Sequence, residues 1–391
     1  MSTTREDWNP LAAPTGEELL PVYGELRERC PVAHTSAYGG FWTLSRYADI
    51  VEAAKDTSTF ESRQPFVERP GTPEFIPLST NGERHTYFRR LLAPYFTPSR
   101  IKALEPRVRG LVAEHVAPVI AAGSGDLHAG LAQPLPARVL CAFLNLPDEE
   151  WVAMQELSAL VKAAGGGGPE EQAAVSQAFI DKAAELVAER RLAPLDPAED
   201  MFSGLLVATQ DGEPLDDDTI AAIGWQMISA GHSTTTRALT VAIHHLATHP
   251  DDQARLRGDR SLIPTAVEEL LRIGPPLHLL ARTATRDVEL DGVTLAEGDL
   301  VGLGFAAGNF DEDAFPDAAV CDLGRKPNRH LTFGIGPHIC IGAPLARLEL
   351  RLVIDELFDR TDSFELDGVP TPTAGLKSGY GVLPIRVSAA A

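Results

Sequence analysis

The sequence predicts a mainly α-helical single domain with a small β region, and three observations carry that expectation. A segment from Ile220 to about Leu246 is apolar nearly all round, as expected of a helix buried through the middle of a molecule. Most of the chain before it falls into stretches whose apolar residues recur at helical spacing. After Ile273 the period shifts toward two, over 282–290, 293–295 and 300–303, the signature of short strands.

The elements follow in chain order. Residues 1–18 are polar and proline-rich and are expected to be loosely held, which leaves 19–391 as the one domain. A helix is expected over 17–29, a short strand over 41–45 and a helix over 47–55. Residues 61–81 are proline-rich and aperiodic, and ordered loops of that length usually carry function. A helix over 83–95 puts His85 and Arg89 on one face. Further helices are expected at roughly 98–121, 135–146 and 147–163. Gly165 to Gly168 forms a flexible joint. Beyond it Pro169 opens a helix to about Arg191, and 200–209 forms another. Asp216-Asp-Asp supplies acids for the first turn of the long central helix, and 264–273 and a segment from Ala343 are also helical. Strand over 364–366 and 382–387 closes the chain.

Composition narrows the function. The 391 residues carry a formal net charge of −21, which argues against nucleic acid or an anionic membrane as partner. No apolar run is long enough to predict a membrane span. Met1 to Asp7 lacks the apolar stretch of a signal peptide. The four cysteines are scattered and form no disulfide framework, which fits a reducing cytosol and a cytoplasmic location. A monomer is expected.

Chemistry concentrates in His330-Leu-Thr-Phe-Gly-Ile-Gly-Pro-His-Ile-Cys-Ile-Gly-Ala-Pro-Leu-Ala-Arg347. Its glycines allow φ > 0 and close approach. Pro344 suits a first helical turn. Cys340 therefore lies just before a helix N-terminus, where unpaired N–H groups favour a thiolate. Such a thiolate is a soft metal ligand and, on haem iron, favours O–O cleavage. A lone cysteine is more often a small buried hydrophobe. A zinc site drawn from Cys321, His330, His338 and Cys340 lacks the paired short spacings of structural zinc sites.

The spacing Phe333-Gly334-x-Gly336-x-His338-x-Cys340-x-Gly342 resembles the haem-binding loop of the cytochrome P-450 family, the haem-thiolate monooxygenases. A second stretch, Ala230-Gly-His-Ser-Thr-Thr-Thr236, resembles that family's segment where the central helix crosses the haem. The resemblance implies that small Ala230 and Gly231 leave room for O2 and that Thr234 is the oxygen-activating threonine. Ser233 stands where the family has an acid, which alters the proton route. Adjacent His232 points about 100° away and is expected to pack. Glu269 and Arg272, with Arg325, match a buried Glu–Arg–Arg network. His85, Arg89, Arg282 and His338 match groups that hold the haem propionates, for which arginine is well suited.

Resemblance over 22–387 implies a cytochrome P-450 fold with haem b between the central helix and the Cys340 loop. It also implies insertion of one oxygen atom from O2 into a C–H bond, with electrons from NAD(P)H through a separate ferredoxin and reductase. Arg325, Lys326, Arg329, Arg347 and Arg351 outnumber Asp322 and Glu349 near that loop, a basic face for an acidic ferredoxin. The pocket is expected to draw on Phe66, Phe75, Met227, Ala230, Leu277, Leu279, Lys377 and Tyr380, and its apolar character suits a small hydrophobic substrate. Pro65-Phe66 and Phe75-Ile76-Pro77 resemble the camphor-hydroxylating branch and suggest a terpenoid. Arg63, Arg69, His278 and Lys377 instead suit a carboxylate-bearing aromatic substrate. Ser233 also keeps open a peroxide-driven or non-hydroxylating oxidation (coupling or desaturation), and a haem-thiolate sensor is a third class.

Overall fold

In the computed structural model, which describes residues 8–13, 15–68, 72–163 and 169–390, the expected helices form and two more join them. In order they are α1 (Gly16–Arg29), α2 (Tyr47–Lys55), α3 (Gly82–Leu92), α4 (Pro98–Ala122), α5 (Pro134–Phe143), α6 (Trp151–Ala163), α7 (Pro169–Leu192), α8 (Met201–Leu206), α9 (Asp217–Ala230), α10 (Ser233–Thr248), α11 (Pro250–Gly258), α12 (Ile263–Ile273), α13 (Phe305–Asn309) and α14 (Ala343–Arg360). The four-glycine joint lies outside the described residues. Ordered packing begins before Leu19. Trp8 is buried, edge-on to Tyr23 and Phe41 with centroids 5.8 and 6.0 Å away.

The central segment is two helices, which corrects the expectation of one. The ladder opens at Gly231–His232, where His232 leaves helical geometry (φ −126°, ψ −45°). The cause is local. The His232 ring bonds the Ile228 carbonyl through Nδ1 at 3.0 Å, taking the acceptor that a continuous helix would give to the His232 backbone N–H. A side chain inserted into the ladder breaks a helix. The position must also be small, because a Cβ on Gly231 would lie 2.8 Å from Leu140 Cδ1 and from the Met227 carbonyl oxygen.

The two halves sit in different cores. Ile220, Ile223 and Ile228 of α9 bury against Leu186 and Val187 of α7 and Phe202 of α8. Leu239, Ile243 and Leu246 of α10 bury against Val267 and Leu270 of α12 and Leu348 and Leu352 of α14. Burial of each such side chain contributes about 1.5–3 kcal/mol.

A five-stranded sheet runs in the order Val32–Thr35, Phe41–Leu44, Leu300–Leu303, Leu280–Ala284, Phe60–Glu61. The Phe41–Leu44 and Leu300–Leu303 pair is parallel and the rest are antiparallel. The strand expected over 282–290 divides. Leu280–Ala284 joins this sheet, while Val288–Leu290 pairs with Val293–Leu295. The second pair turns at Asp291-Gly292, both at positive φ (50° and 72°), as an Asp-Gly hairpin requires. The sheet fixes Arg282 opposite Val301. Thr361–Leu366 pairs with Pro384–Ala389, which also takes Ser124–Asp126.

Candidate active site

Cys340 closes a loop that doubles back on itself. Its N–H donates to the Phe333 carbonyl at 2.8 Å, and Gly334 and Gly336 turn at φ 69° and 77°. Gly336 lies against the end of α2, where a Cβ would meet the Ala54 carbonyl oxygen at 2.8 Å. Phe333 packs on the core that contains Leu239 and Ala242 of α10. Ile341 packs on the core that contains Met227 and Ile228 of α9. The loop thus lies against both halves of the broken helix. Cys340 and Ala230 are both exposed. Although its surface is open, the protein mass around it desolvates the Cys340 thiol and pushes it up, against the backbone N–H groups of Gly342 and Ala343 and the charges of Arg89 and Arg347. A metal ion at Sγ reverses that balance, because coordination deprotonates a thiol outright.

The four groups expected to hold propionates come together beside this loop. The His85 and His338 rings lie 4.0 Å apart, and Arg89 donates to the Ile339 carbonyl at 2.8 Å. Arg282 is 2% exposed; it donates to the Ala281 carbonyl, while its Nε has no partner among the described residues. His338 Nε2 is likewise buried without one. Burial, with the nearby arginines, lowers His85 to about 4 and His338 to about 2. Burial alone lowers Arg282 to about 10. At neutral pH the imidazoles are therefore neutral donors and the two arginines carry the charge. Buried polar atoms almost always have partners, and a buried charge needs a counter-charge. No carboxylate pairs with Arg89 or Arg282 among the described residues. A soft thiolate beside two arginines and two imidazoles with spare donors fits haem and its two propionates.

In the threonine stretch, Thr234 Oγ1 donates to the Ala230 carbonyl at 3.2 Å, across the break. Thr236 Oγ1 donates to His232 O at 3.1 Å. Both are the one-turn-back bonds common for helical threonine. Ser233 is half-buried, and its hydroxyl makes no hydrogen bond among the described residues. His232 Nε2 contacts Ser158 Oγ. Burial lowers His232 to about 4, so one ring nitrogen carries the proton. Ile228 O can only accept, hence Nδ1 donates there and Nε2 accepts from Ser158. His232 is locked as a packing group, as expected.

A profile of the cytochrome P450 family matches residues 168–374. Cytochrome P450 130 of Mycobacterium tuberculosis is 33% identical over 381 residues, covering 93% of each chain. The cyclomarin C epoxidase of Salinispora arenicola is 34% identical, covering 95% of this chain and 96% of that one. The chain belongs to the cytochrome P450 family. Its fold matches the crystal structure of CYP108D1 from Novosphingobium aromaticivorans with a TM-score of 0.84, 33% identity and coverage of 96% and 95%. This P450 is therefore a monooxygenase of mainly α architecture. No helix among the described residues is long and apolar enough to cross a membrane.

Two buried groups, Glu269 and Arg272, and the half-buried Arg325 form the support under the cysteine loop. Arg272 donates to Glu269 through Nε and Nη2, both at 2.8 Å, and each side chain is wholly buried. Arg325 adds a bond at 3.1 Å. The Asp322 N–H and Asn328 Nδ2 complete the carboxylate at 2.9 and 3.0 Å. Burial raises the Glu269 carboxyl, but these donors outweigh it and hold it low. Sequence reasoning missed Asn328. It also missed Asn309, which accepts from Leu331 N–H at 2.6 Å and donates to the Arg272 carbonyl at 3.0 Å. Glu268, next to the recognised Glu269, clamps Arg347 through two 2.7 Å bonds and contacts His330 at 3.1 Å. Against the burial that would raise it, these bonds bring Glu268 to about 2.

The expected pocket wall is partly corrected. Phe75 stacks on Trp225 at 4.0 Å and meets Phe66 edge-on at 5.5 Å. Phe75, Trp225 and Met227 share one apolar cluster with Phe66 packed on it, and Leu277 is half-buried. Leu279 instead packs into the cluster of Trp8, Tyr23 and Phe41. Tyr380 stacks on His244 at 4.2 Å, and its hydroxyl meets Glu17 and, at 2.9 Å, His244 Nδ1. These contacts hold the Tyr380 ring in place. Lys377 is neutralised by Glu68 at 2.9 Å.

The cations expected for a carboxylate-bearing substrate are engaged as well. Arg63 pairs with Glu61 at 2.8 Å. His278 is wholly buried between Tyr23 and Ser378, and burial, with Lys377, lowers it to about 3, so it is neutral. Arg69 lies outside the described residues. In the basic face, Arg325 is paired with Glu269. Arg347 is paired with Glu268, and Arg351 with Glu105 at 3.0 Å. Lys326 and Arg329 are exposed and lie in no ion pair among the described residues.

Proposed function

We propose that this P450 inserts one oxygen atom from O2 into a C–H bond of a small hydrophobic substrate, with Cys340 as the axial ligand of haem b. The observation that carries the reading is the pair of buried donors beside the Cys340 loop, Arg282 Nε and His338 Nε2, without partners among the described residues. Arg89, Arg282, His85 and His338 would hold the propionates. Haem with a thiolate ligand would supply O–O cleavage. The protein's part is to orient substrate against the Phe66–Phe75–Trp225–Met227 wall, to keep Ala230 and Gly231 small, and to deliver protons. The aromatic wall and the engaged cations favour an apolar, terpenoid-sized substrate over a carboxylate.

Proton delivery falls to Thr234 and Ser233. A serine hydroxyl relays a proton but stores none near neutral pH, and His232 has its Nδ1 proton committed to Ile228 O. The expected result is that Thr234→Ala still consumes NAD(P)H but releases peroxide, with product per NAD(P)H falling about tenfold or more. Ser233→Asp, which restores a titrating relay, keeps or raises turnover. Product mass gaining one oxygen from labelled O2 tests the reaction itself. Oxidation without that gain, together with intact coupling in Thr234→Ala and loss of turnover in Ser233→Asp with haem retained, would instead establish the peroxide-driven or non-hydroxylating reading.

Electrons are proposed to come from NAD(P)H through a separate reductase and an acidic ferredoxin that docks at Lys326 and Arg329. With Arg347 and Arg351 already paired to acids, these two carry the steering charge. Lys326→Glu/Arg329→Glu should slow reduction by roughly tenfold at low ionic strength and less at high salt, because exposed charges are screened. Stopped-flow reduction that is unchanged at low salt would rule out this face.

A further inference from the structure

Cys321 entered the sequence reading as one of four candidate zinc ligands with His330, His338 and Cys340. The structure does not assemble that set. His338 lies on His85 and His330 on Glu268. It builds a different group instead. His245 at the end of α10, Asp252 in the first turn of α11 and Cys321 in the loop ahead of the cysteine segment bring one ligand atom each to within 4.8 Å of one another. His245 Nε2 and Asp252 Oδ2 are already 2.8 Å apart.

We propose that His245 Nε2, the Asp252 carboxylate and Cys321 Sγ bind one zinc ion, with water in the fourth position. The donor set is imidazole, carboxylate and thiolate, which suits zinc rather than magnesium or calcium. Bonds of about 2.0–2.3 Å to a tetrahedral ion place ligand atoms roughly 3.3–3.8 Å apart. The His245–Asp252 contact therefore opens slightly and Cys321 closes in, shifts within reach of side-chain rotation. One carboxylate and one thiolate cancel the charge of the divalent ion. Burial keeps His245 neutral and ready to ligate. Burial, with Glu269 and Asp252, holds the Cys321 thiol up at about 12, so coordination must displace its proton to solvent. His249 stacks on the His245 ring at 4.0 Å and walls the site.

The site has a built support. The residues flanking Cys321 are held by the buried network. Val320 O accepts from Arg272 and Arg325, and Asp322 N–H donates to Glu269. Zinc would clasp the end of the central helix and the start of the next to the loop that the Glu269 network already grips. This clasp is separate from Cys340.

The test uses haem-loaded protein stripped with a chelator and then titrated with zinc by calorimetry, with the haem spectrum followed in parallel. Wild-type protein should take up one zinc per chain, release about one proton, melt at a higher temperature with zinc and keep its haem spectrum. Cys321→Ala should lower zinc affinity at least ~100-fold and abolish the thermal shift. Asp252→Asn should weaken binding less, since an amide oxygen still ligates. If Cys321→Ala fails to hold haem, Cys321→Ser is read the same way. Equal zinc binding in wild type and the Cys321 variants would overturn the assignment. So would no binding by folded wild type, or zinc uptake that bleaches the haem spectrum, which would mark Cys340 as the ligand.

Discussion

Cys340→Ser protein will lose the long-wavelength band of the reduced carbon monoxide complex and its oxygenation activity will fall to background. Cys30→Ser, Cys141→Ser and Cys321→Ser will keep both. The four thiols differ in environment. Cys30 and Cys141 are buried, and burial, with nearby acids, pushes Cys141 up to about 12, as inert structural thiols behave. Cys340 is the accessible one, and two backbone N–H groups with Arg89 and Arg347 act on its sulfur. Serine keeps the size but loses the soft donor. Haem spectra and product analysis on the four purified variants decide the matter. If another cysteine behaves this way while Cys340→Ser does not, the site is misassigned.

Glu269→Ala or Arg272→Ala should destabilise the fold by roughly 3–5 kcal/mol, because each leaves the opposite charge buried and unpaired. Against a typical domain stability of 5–15 kcal/mol, either variant should show a much lower urea midpoint and poor haem retention. The comparison pair is Arg63–Glu61, whose arginine side chain is 69% exposed and whose loss should change stability by under about 1 kcal/mol. Arg272 also donates to the carbonyls of Asn309 and Ala318, both at 2.8 Å, so its removal strands backbone acceptors as well. An Arg272→Ala midpoint close to wild type would refute the role of this network in holding the cysteine loop.

The parts of the site that could be read from sequence are those set by local chemistry. The glycine spacing around Cys340, the Glu269-Leu-Leu-Arg272 pair and the helical His85/Arg89 spacing each express one rigid geometry, and the structure brings all of them together. The break at Gly231–His232 was not legible. It depends on where the His232 ring finds an acceptor, and Ser158 lies 74 residues away. That Leu279 packs with Trp8, Tyr23 and Phe41 and that Tyr380 meets Glu17 and His244 are long-range outcomes that no local pattern marks. Strand order, with Phe41–Leu44 beside Leu300–Leu303, is likewise a long-range outcome. Glu268 was overlooked although it adjoins Glu269, since nothing in the local pattern marks Arg347 as its partner. The Asp291-Gly292 hairpin carried a usable signal, for both residues of the turn sit at positive φ.

The hydrogen bond between Ser158 and His232 makes α6 mechanically continuous with the joint at which Ala230 and Thr234 sit. The two halves of the central segment meet at Gly231 and His232, and of these only His232 leaves helical geometry. The ring of His232 is the lever that α6 pulls on. Reciprocity then follows from linkage: whatever favours one position of α6 favours one angle of the joint, by the same free energy in both directions. Any displacement of Ser158 is thus passed to the joint between α9 and α10 through that one imidazole.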